Sequence, residues 1–232
     1  MNAKENEEPR RGNEARGTAE TVWQLIDRLC QGGVPYRKLG EIGTFTRGNG
    51  LQKKDFTETG FPCIHYGQIY TRYKTWATET LSHCSPDLAK KLRKAHKGDL
   101  IIATTSENVD DVCKAVVWLG EEEIAVGGDA CIFSHKQDPK YVAYYYQSAA
   151  FYELKRRKAS GTKVIRVSID AMAQFPIPVP PPEVQREVVR ILDKFSELTT
   201  SLTSGLPAEI AARRKQYEYY RDKLLSFPRR ER

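Results

Sequence analysis

A dense run of prolines, PIPVPPP at residues 176–182, separates two parts of this sequence that differ in character. Proline fixes its own backbone angle and has no backbone N–H to donate, so such a run is extended and stiff rather than helical. We therefore expect a proline-rich junction at 176–182, with a domain at 35–175 before it and a helical region at 183–227 after it.

The helical region repeats apolar residues at helical spacing. A first set with spacings of 4, 3, 4, 3 and 4 predicts an apolar seam along a helix over 183–204: Val184, Val188, Ile191, Phe195, Leu198 and Leu202. Ser204-Gly205 ends this helix, and a second set recurs every seven residues at Ile210, Tyr217 and Leu224. So few heptads cannot form a stable free coiled coil. The seam must pack on the short helix at 21–31, a second copy, a different protein or, as an ordinary helical hairpin, the chain's own domain.

The domain at 35–175 mixes short apolar runs with turn signals, which predicts an α+β fold with a twisted sheet. The expected strands are 63–66, 100–104, 115–119, 124–126 and 130–134. Two helices, 86–95 and 139–158, are expected to interrupt them. The whole fold class is therefore α+β, with long helices after the sheet domain that form a helical hairpin or coiled-coil spacer.

The two ends of the chain are charged. Residues 1–18 contain almost no large apolar side chain, which predicts a disordered tail, and residues 228–232 form a basic tail. Between the first tail and the domain, the sequence of residues 19–34 predicts a short helix. Thr18 or Thr21 is expected to cap its start, and Gly32-Gly33 to end it.

Charge and cysteine content narrow the class of protein. The net charge of +7 and the pI of about 9.1 suit an anionic partner such as nucleic acid, although many basic proteins bind none. The five cysteines include no C-x-x-C pair, which favours reduced thiols in the cytoplasm over a disulfide framework. No apolar stretch reaches the roughly 18 residues of a membrane span, so we expect no membrane association.

The sequence lacks the motifs of the enzymes that a basic α/β chain suggests. DPKY at 138–141 lacks the second proline and the amide of an adenine methyltransferase loop, and no glycine motif fits a nucleotide. The nuclease-like D/E-x-K triplets at 138–140 and 153–155 hold a proline or lie in a predicted helix. The Cys/His pairs at 63–65 and 83–84 lack zinc-site spacing. We expect no catalytic residue, no metal site and no enzyme activity.

Basic residues are clustered in ways that suit DNA phosphates, while amides and hydroxyls in predicted loops suit base edges. The basic candidates, together with Thr162 of the SGTKVIR segment, are Lys53, Lys54, Lys90, Lys91, Arg93, Lys94, Arg156, Arg157, Lys158, Thr162, Lys163 and Arg166. The candidate base readers are Asn49, Gln68, Thr105, Ser106 and Asn108. A solvated helix face is the competing interpretation, above all for 90–97.

Three segments resemble the specificity subunits of type I restriction–modification systems. They are YRKLGEI at 36–42, GDLIIATT at 98–105 and FPIPVPPPEVQREVVRILD at 175–193. The last is similar to that family's junction between a target-recognition domain and a spacer helix. Family members usually carry two such domains and two spacers, whereas this sequence holds one of each. It resembles a half-length subunit, or a fragment.

The resemblance implies a role. It implies a non-catalytic subunit that binds double-stranded DNA and directs adenine N6 methylation and restriction to a bipartite target. Modification (methyltransferase) subunits, a restriction/translocase subunit and a second specificity half are the implied partners. S-adenosylmethionine, ATP and Mg would lie on those partners, with no cofactor on this chain. The alternatives are a free-standing DNA-binding regulator dimerised through 183–225, and an unrecognised nuclease.

Overall fold

The computed structural model describes residues 21–201 and 207–230. The expected tail at 1–18, the Thr18 cap, Leu202 of the seam, the break at Ser204-Gly205 and residues 231–232 lie outside these ranges. Within them, no helix is long and apolar enough to cross a membrane.

Helices and short strands alternate along the described chain. The helices are α1 Val22–Leu29, α2 Leu39–Ile42, α3 Tyr66–Thr71, α4 Pro86–Ala89, α5 Pro139–Tyr146, α6 Ala149–Lys158, α7 Ile169–Ala173, α8 Pro182–Ser201 and α9 Pro207–Leu224. The strands are β1 Tyr36–Lys38, β2 Gly43–Arg47, β3 Phe56–Thr57, β4 Phe61–Ile64, β5 Trp76–Ala77, β6 Ser82–Cys84, β7 Arg93–Ala95, β8 Leu100–Ala103, β9 Thr105–Ser106, β10 Ala115–Trp118, β11 Ile124–Val126, β12 Ala130–His135, β13 Ile165–Arg166 and β14 Pro176–Pro178.

Two five-stranded mixed sheets form the body of the protein. Their strand orders are β2-β12-β8-β10-β5 and β3-β6-β4-β11-β7, with one parallel pair in each sheet, β10–β5 and β11–β4. Strands β8, β11 and the first four residues of β12 are wholly buried, as their continuous apolar sequence indicates. The α+β class is confirmed, and all five predicted strands occur within a few residues of their expected ends.

The predicted helix at 139–158 is wrong in one respect, because the structure contains two helices there. Asp138 caps α5, whose residues Tyr141–Tyr146 are all buried. Ser148 then ends the run, since its hydroxyl accepts a hydrogen bond from Phe151 N (3.2 Å) and caps α6. A serine in such a position competes with helix continuation by capping a new helix.

The predicted helix at 86–95 is also wrong beyond its first turn. Helix α4 ends at Ala89, and the chain becomes β7, which pairs antiparallel with β11. The cause is distant in sequence: the Asn49 amide donates to Lys91 O (2.9 Å) and accepts from Arg93 N (2.7 Å). Strand pairing and this amide supply the backbone partners that a helix would have supplied.

The proline junction is fixed on both sides. Strand β14 pairs with β1, in the register Tyr36↔Pro178 and Lys38↔Pro176, and α8 begins directly after it at Pro182. Gln185, only 2 % exposed, accepts from Asp138 N (3.0 Å) and donates to Pro180 O (2.9 Å). This side chain therefore joins the prolines and the start of α5 to the start of α8.

A second set of contacts joins α8 to α5 two turns later. The Asp193 carboxylate accepts from Tyr144 Oη (2.7 Å) and forms an ion pair with Lys140 (2.7 Å), whose ammonium also lies 3.9 Å from the centre of the Trp76 ring. Because both partners are half-buried, this pair is screened less than an exposed one.

The apolar seam is divided between two environments. Val184, Val188 and Leu224 are buried, and so is Leu192, which the predicted pattern omits. Ile191, Phe195 and Tyr217 are half-buried, whereas Leu198 and Ile210 are 54 % and 37 % exposed. Helix α8 packs on α1, α5 and α9. The first half of the seam is thus covered by the chain's own domain, as in the helical-hairpin alternative, and a continuous coiled-coil seam is not confirmed.

The segment after α9 returns to the start of the domain. Val34 N donates to Pro228 O (2.9 Å) and Arg230 N donates to Val34 O (3.0 Å), while Tyr36 Oη donates to Phe227 O (2.9 Å). Gly33 permits this approach, since its φ is +85° and a Cβ there would lie 2.5 Å from Pro228 O. The helical hairpin is therefore attached to the domain at both ends.

We expect Gln185→Leu to lower the free energy of unfolding by about 2–4 kcal/mol, because Asp138 N and Pro180 O lose their partner in a buried site. Urea denaturation measures the change. Arg186→Ala, at an exposed position on the same helix, is the matched control. Equal stability of the two variants would contradict the proposed role of the amide.

Because the imidazole of His135 is neutral and its Nε2 is buried, we expect the protein to lose stability in mild acid. Its Nδ1 accepts from Gln137 N (3.1 Å), and its buried Nε2 has no hydrogen-bond partner among the described residues. Burial lowers the pKa of His135 from 6.5 to about 4, although Asp99 and Asp138 act in the opposite direction. The unfolded chain therefore takes the proton first, so this contribution is complete above about pH 6.5 and is lost as the pH falls toward 4.

We expect His135→Phe to lose less stability than the wild type between pH 7 and pH 5. Urea midpoints at both pH values measure this difference directly. The same loss in both proteins would show that another group carries the acid sensitivity.

Candidate nucleic-acid interface

The first predicted basic group lies beside a cleft between two glycine turns. The turn at 47–51 packs on Gly127-Gly128, and Arg47 Nε donates to Gly128 O (3.1 Å). The cleft, about 520 Å³, is lined by Arg47, Lys53, His65, Tyr66 and Asp129 among others. Burial lowers the pKa of His65, and the nearby Lys53 ammonium adds to this effect. Lys53 and Lys54 are exposed on a 3₁₀ turn, Lys53–Asp55.

Two of the predicted base readers near this cleft have structural partners instead. The Asn49 amide holds the backbone at Lys91 and Arg93, as described above. Gln68 lies in α3 rather than in a loop, where its amide donates to Ser82 Oγ (2.8 Å) and accepts from His65 N (3.1 Å). Both amides are therefore engaged within the protein, where they hold its own backbone and side chains.

The predicted basic residues between 90 and 97 fall into two sets. Some side chains already have hydrogen-bond or ion-pair partners among the described residues, and the others do not. Lys90 forms an exposed ion pair with Asp87 (2.9 Å). The Lys94 ammonium donates to Ala89 O and Leu92 O and lies 4.9 Å from the Phe61 ring centre. Lys91 and Arg93 keep exposed side chains. Of these four cations, Lys91 and Arg93 are therefore the ones best placed to meet an external anion.

The loop at 104–114 is held mainly by its own side chains. Thr105 and Ser106, expected in a loop, form the buried strand β9, and Ser106 Oγ accepts from Asn108 N (3.2 Å). Asn108 donates to Asp111 Oδ2 and accepts from Asp111 N, both at 2.8 Å. Thr105 and Ser106 are thus corrected from surface readers to buried strand residues, because β9 pairs with β13.

A short hairpin stands beside this loop. Ser160 and Arg166 exchange backbone hydrogen bonds (3.0 and 2.9 Å), and β13 pairs with β9 in the register Ile165↔Ser106. Gly161 has a φ of +106°, which favours glycine. Thr162, Lys163 and Arg166 are exposed, and Val164 is 42 % exposed beside them.

The end of α6 adds further cations next to the hairpin. Arg157 and Lys158 are exposed, whereas Arg156 pairs with Glu153 (2.8 Å). We call the exposed set Arg157, Lys158, Thr162, Lys163 and Arg166 the hairpin surface. The structure brings these predicted residues together, while Lys53, Lys54, Lys91 and Arg93 lie on other segments.

Lys155 belongs to the same basic run in the sequence, but its side chain is buried and binds the protein's own backbone. It is 5 % exposed, and its ammonium donates to Asp110 O (2.8 Å) and Val112 O (2.9 Å). Burial lowers the pKa of Lys155. These two bonds fix the loop that ends at Cys113, whose φ of +62° lies in the left-handed region. Arg47, the first residue of the RGNG segment at 47–50, was not among the candidates predicted from the sequence.

Metal chemistry finds no support in the part of the chain that the structure describes. No group of three or more His, Cys, Asp or Glu side chains there could hold an ion. All five cysteines are free and buried, and burial raises the pKa of the Cys63 thiol to about 12. Buried, protonated thiols of this kind are unreactive.

Comparison with known proteins shows which proteins share this sequence and fold. The chain is 46% identical over 211 residues to the type I restriction enzyme EcoR124I/EcoR124II specificity subunit of Escherichia coli, covering 87% of this chain and 50% of that protein. The chain therefore spans about half the length of that relative.

Solved structures share the fold. One is a chain from a type I R-M system studied for its assembly and conformational transition, with a TM-score of 0.56 and 17% identity over 88% of this chain and 50% of that chain. Another is the HsdS subunit from Thermoanaerobacter tengcongensis, with a TM-score of 0.53 and 18% identity over 84% and 45%. The model of the type I restriction modification DNA specificity domain matches residues 32–212. The chain belongs to the family of type I restriction–modification DNA specificity proteins.

Proposed function

We propose that this chain is a half-length DNA-recognition subunit of a type I restriction–modification complex, acting in the cytoplasm. It binds double-stranded DNA and directs adenine N6 methylation and restriction to its target, without catalysing either step. The observation that carries this proposal is the match of one specificity domain to residues 32–212. That range contains both sheets, the hairpin surface and most of the helical hairpin.

The surface chemistry supports DNA as the ligand. The hairpin surface presents four cations and a threonine hydroxyl beside an exposed valine, and Lys91 and Arg93 remain exposed elsewhere. Cations of this kind neutralise phosphates and release counterions, whereas hydroxyls and apolar groups reach base edges. We propose that some of the candidate residues contact base edges. Lys163 and Thr162 are better placed for DNA than Thr105 and Ser106, which are buried.

The half-length form needs a second half. Helix α8 has 20 residues and is about 30 Å long, close to the roughly 34–36 Å of one DNA turn. Two copies, or two different halves, joined through the exposed ends of α8 and α9 would place two domains on a bipartite site. Leu198 and Ile210 are two of the exposed apolar residues on these helices that such a contact would cover.

The remaining components belong to other subunits in this proposal. Modification subunits would supply S-adenosylmethionine and methylate adenine, and a restriction/translocase subunit would supply the ATP- and Mg-dependent steps. The described residues offer no metal cluster of their own, and no residue of this chain is proposed to take part in the chemistry.

Co-expression with a type I modification subunit from the same genome tests the proposal. We expect a stable complex and newly methylated adenines in a bipartite motif, mapped across the host genome. A homodimer of halves predicts a symmetric motif, and an asymmetric motif would favour two different halves. No complex and no new methylation would contradict the proposal. Specific DNA binding without any methyltransferase would favour a free-standing regulator instead.

Lys163→Ala tests the hairpin surface. We expect weaker binding to all duplexes and a salt slope, log K against log of salt concentration, reduced by about 1, because one phosphate contact is lost. Filter binding or fluorescence anisotropy over a salt series gives both quantities. Lys136→Ala, an exposed lysine outside this surface, is the control. A changed sequence preference with an unchanged slope would make Lys163 a base reader.

A further inference from the structure

A cleft of about 730 Å³ lies between the sheet domain and helix α9. Its domain side comes from α3 with the residues that follow it, the 110–115 segment and α6, and its other side comes from α9. We call it the spacer cleft. Among the lining residues that the structure describes, only Asp110 is acidic, whereas the basic ones are Lys74, Lys114, Lys155, Arg213, Arg214 and Arg221.

Four of these six cations already have partners. Lys155 donates to two carbonyls and Lys114 pairs with Asp111 (2.6 Å). Arg221 pairs with Asp222 (3.1 Å) and lies 5.8 Å from the Tyr217 ring centre, and Arg213 lies 3.8 Å from Glu209.

The other two cations, Lys74 and Arg214, are uncompensated. Both are exposed, and neither has an ion pair or side-chain hydrogen bond with any residue that the structure describes. They lie on opposite sides of the cleft, one after α3 and the other on α9. Two free positive charges across an open cleft attract an anion that can reach both.

Tyrosines complete the walls. Tyr70, Tyr73, Tyr152 and Tyr217 line the cleft. Burial raises the pKa of Tyr217 to about 12, so its hydroxyl stays protonated and able to donate. Protonated hydroxyls beside free guanidinium and ammonium groups suit phosphate oxygens, which only accept hydrogen bonds.

The spacer cleft is continuous with the loop beside the hairpin surface. Asp110 and Lys114, which line the cleft, belong to the loop that Lys155 fixes and that follows β9. Strand β9 pairs with β13 of the hairpin. The hairpin surface and the spacer cleft are therefore connected through this one loop.

We propose that the spacer cleft binds a phosphodiester of the DNA backbone beside the recognised sequence, through Lys74 and Arg214. This inference rests on the proposed function. Contacts of this type are independent of sequence, so the cleft holds the flanking or gap DNA and adds affinity without altering which bases are read. An acidic segment of a partner protein is the competing occupant.

The first experiment compares the K74Q/R214Q variant with the R37Q/K136Q control, which removes the same charge from exposed positions outside the cleft. The purified full chain, or its complex with the modification subunit, is titrated with a short duplex and a duplex extended on both sides, over a salt series. We expect the cleft variant to reduce the salt slope by about 2 on the long duplex only, with the methylated motif unchanged.

Several results would overturn the proposal. They are an unchanged slope, an equal reduction in the control, an equal reduction on both duplexes, or loss of the modification subunit with DNA binding intact. The last result would assign the cleft to a protein segment. Failure of the proposed function is distinguishable, because it appears as absent methylation and absent sequence preference in the wild type, whatever the variants do.

A second measurement does not depend on affinity. All five native cysteines are buried, so Arg214→Cys provides one accessible thiol among the described residues for a photoactivatable label. We expect crosslinks to DNA outside the methylated motif. The same label on Arg37→Cys is the control. Crosslinks within the motif, or none above the control, would contradict a flanking-backbone site.

Discussion

The attachment of α8 to α5 determines how the two parts of this protein are arranged. Gln185 binds the backbone at Asp138 and Pro180, and Asp193 binds Lys140 and Tyr144 two turns later, with Val184, Val188 and Leu192 buried between them. Apolar burial supplies most of the energy of such a contact, while the two polar anchors select one rotation and one angle of the helix. The proline-rich sequence at 175–193 therefore determines the orientation of α8 relative to the sheets.

That orientation makes the proposed recognition role physically possible. A spacer that rotated freely would place a second domain at no fixed distance along DNA. The backbone hydrogen bonds of Val34 with Pro228 and Arg230 add a second attachment. The helical hairpin of α8 and α9 is therefore held to the domain at both its beginning and its end. The hairpin surface and the spacer cleft therefore lie on parts of the protein that are joined at two places.

Local sequence signals predicted the elements whose stability is local. The capping box of Thr21 and Gln24 and the uninterrupted apolar runs of β8 and β12 identify α1 and the central strands directly. The division of 139–158 at Ser148 depends on a local cap, but the other errors occurred where a distant residue decides. Asn49 holds residues more than 40 positions away and turns an expected helix into β7, and strand pairing buries Ser106. In the candidate interface, exposure of Lys163 was predictable from its glycine turn, but burial of Lys155 was not, because its partners lie more than 40 residues earlier.

The manner in which Lys155 holds its loop has a consequence for how such a protein can evolve. Its two acceptors are the main-chain oxygens of Asp110 and Val112, and every amino acid carries that atom. Side chains along the loop other than Ser106, Asn108 and Asp111, whose own hydrogen bonds also hold it, can therefore be exchanged by mutation while the path of the chain is kept. Because this anchor binds the main chain, the shape of the loop does not depend on which side chains occupy its remaining positions. Mutations there can change the chemistry of the loop without changing its backbone.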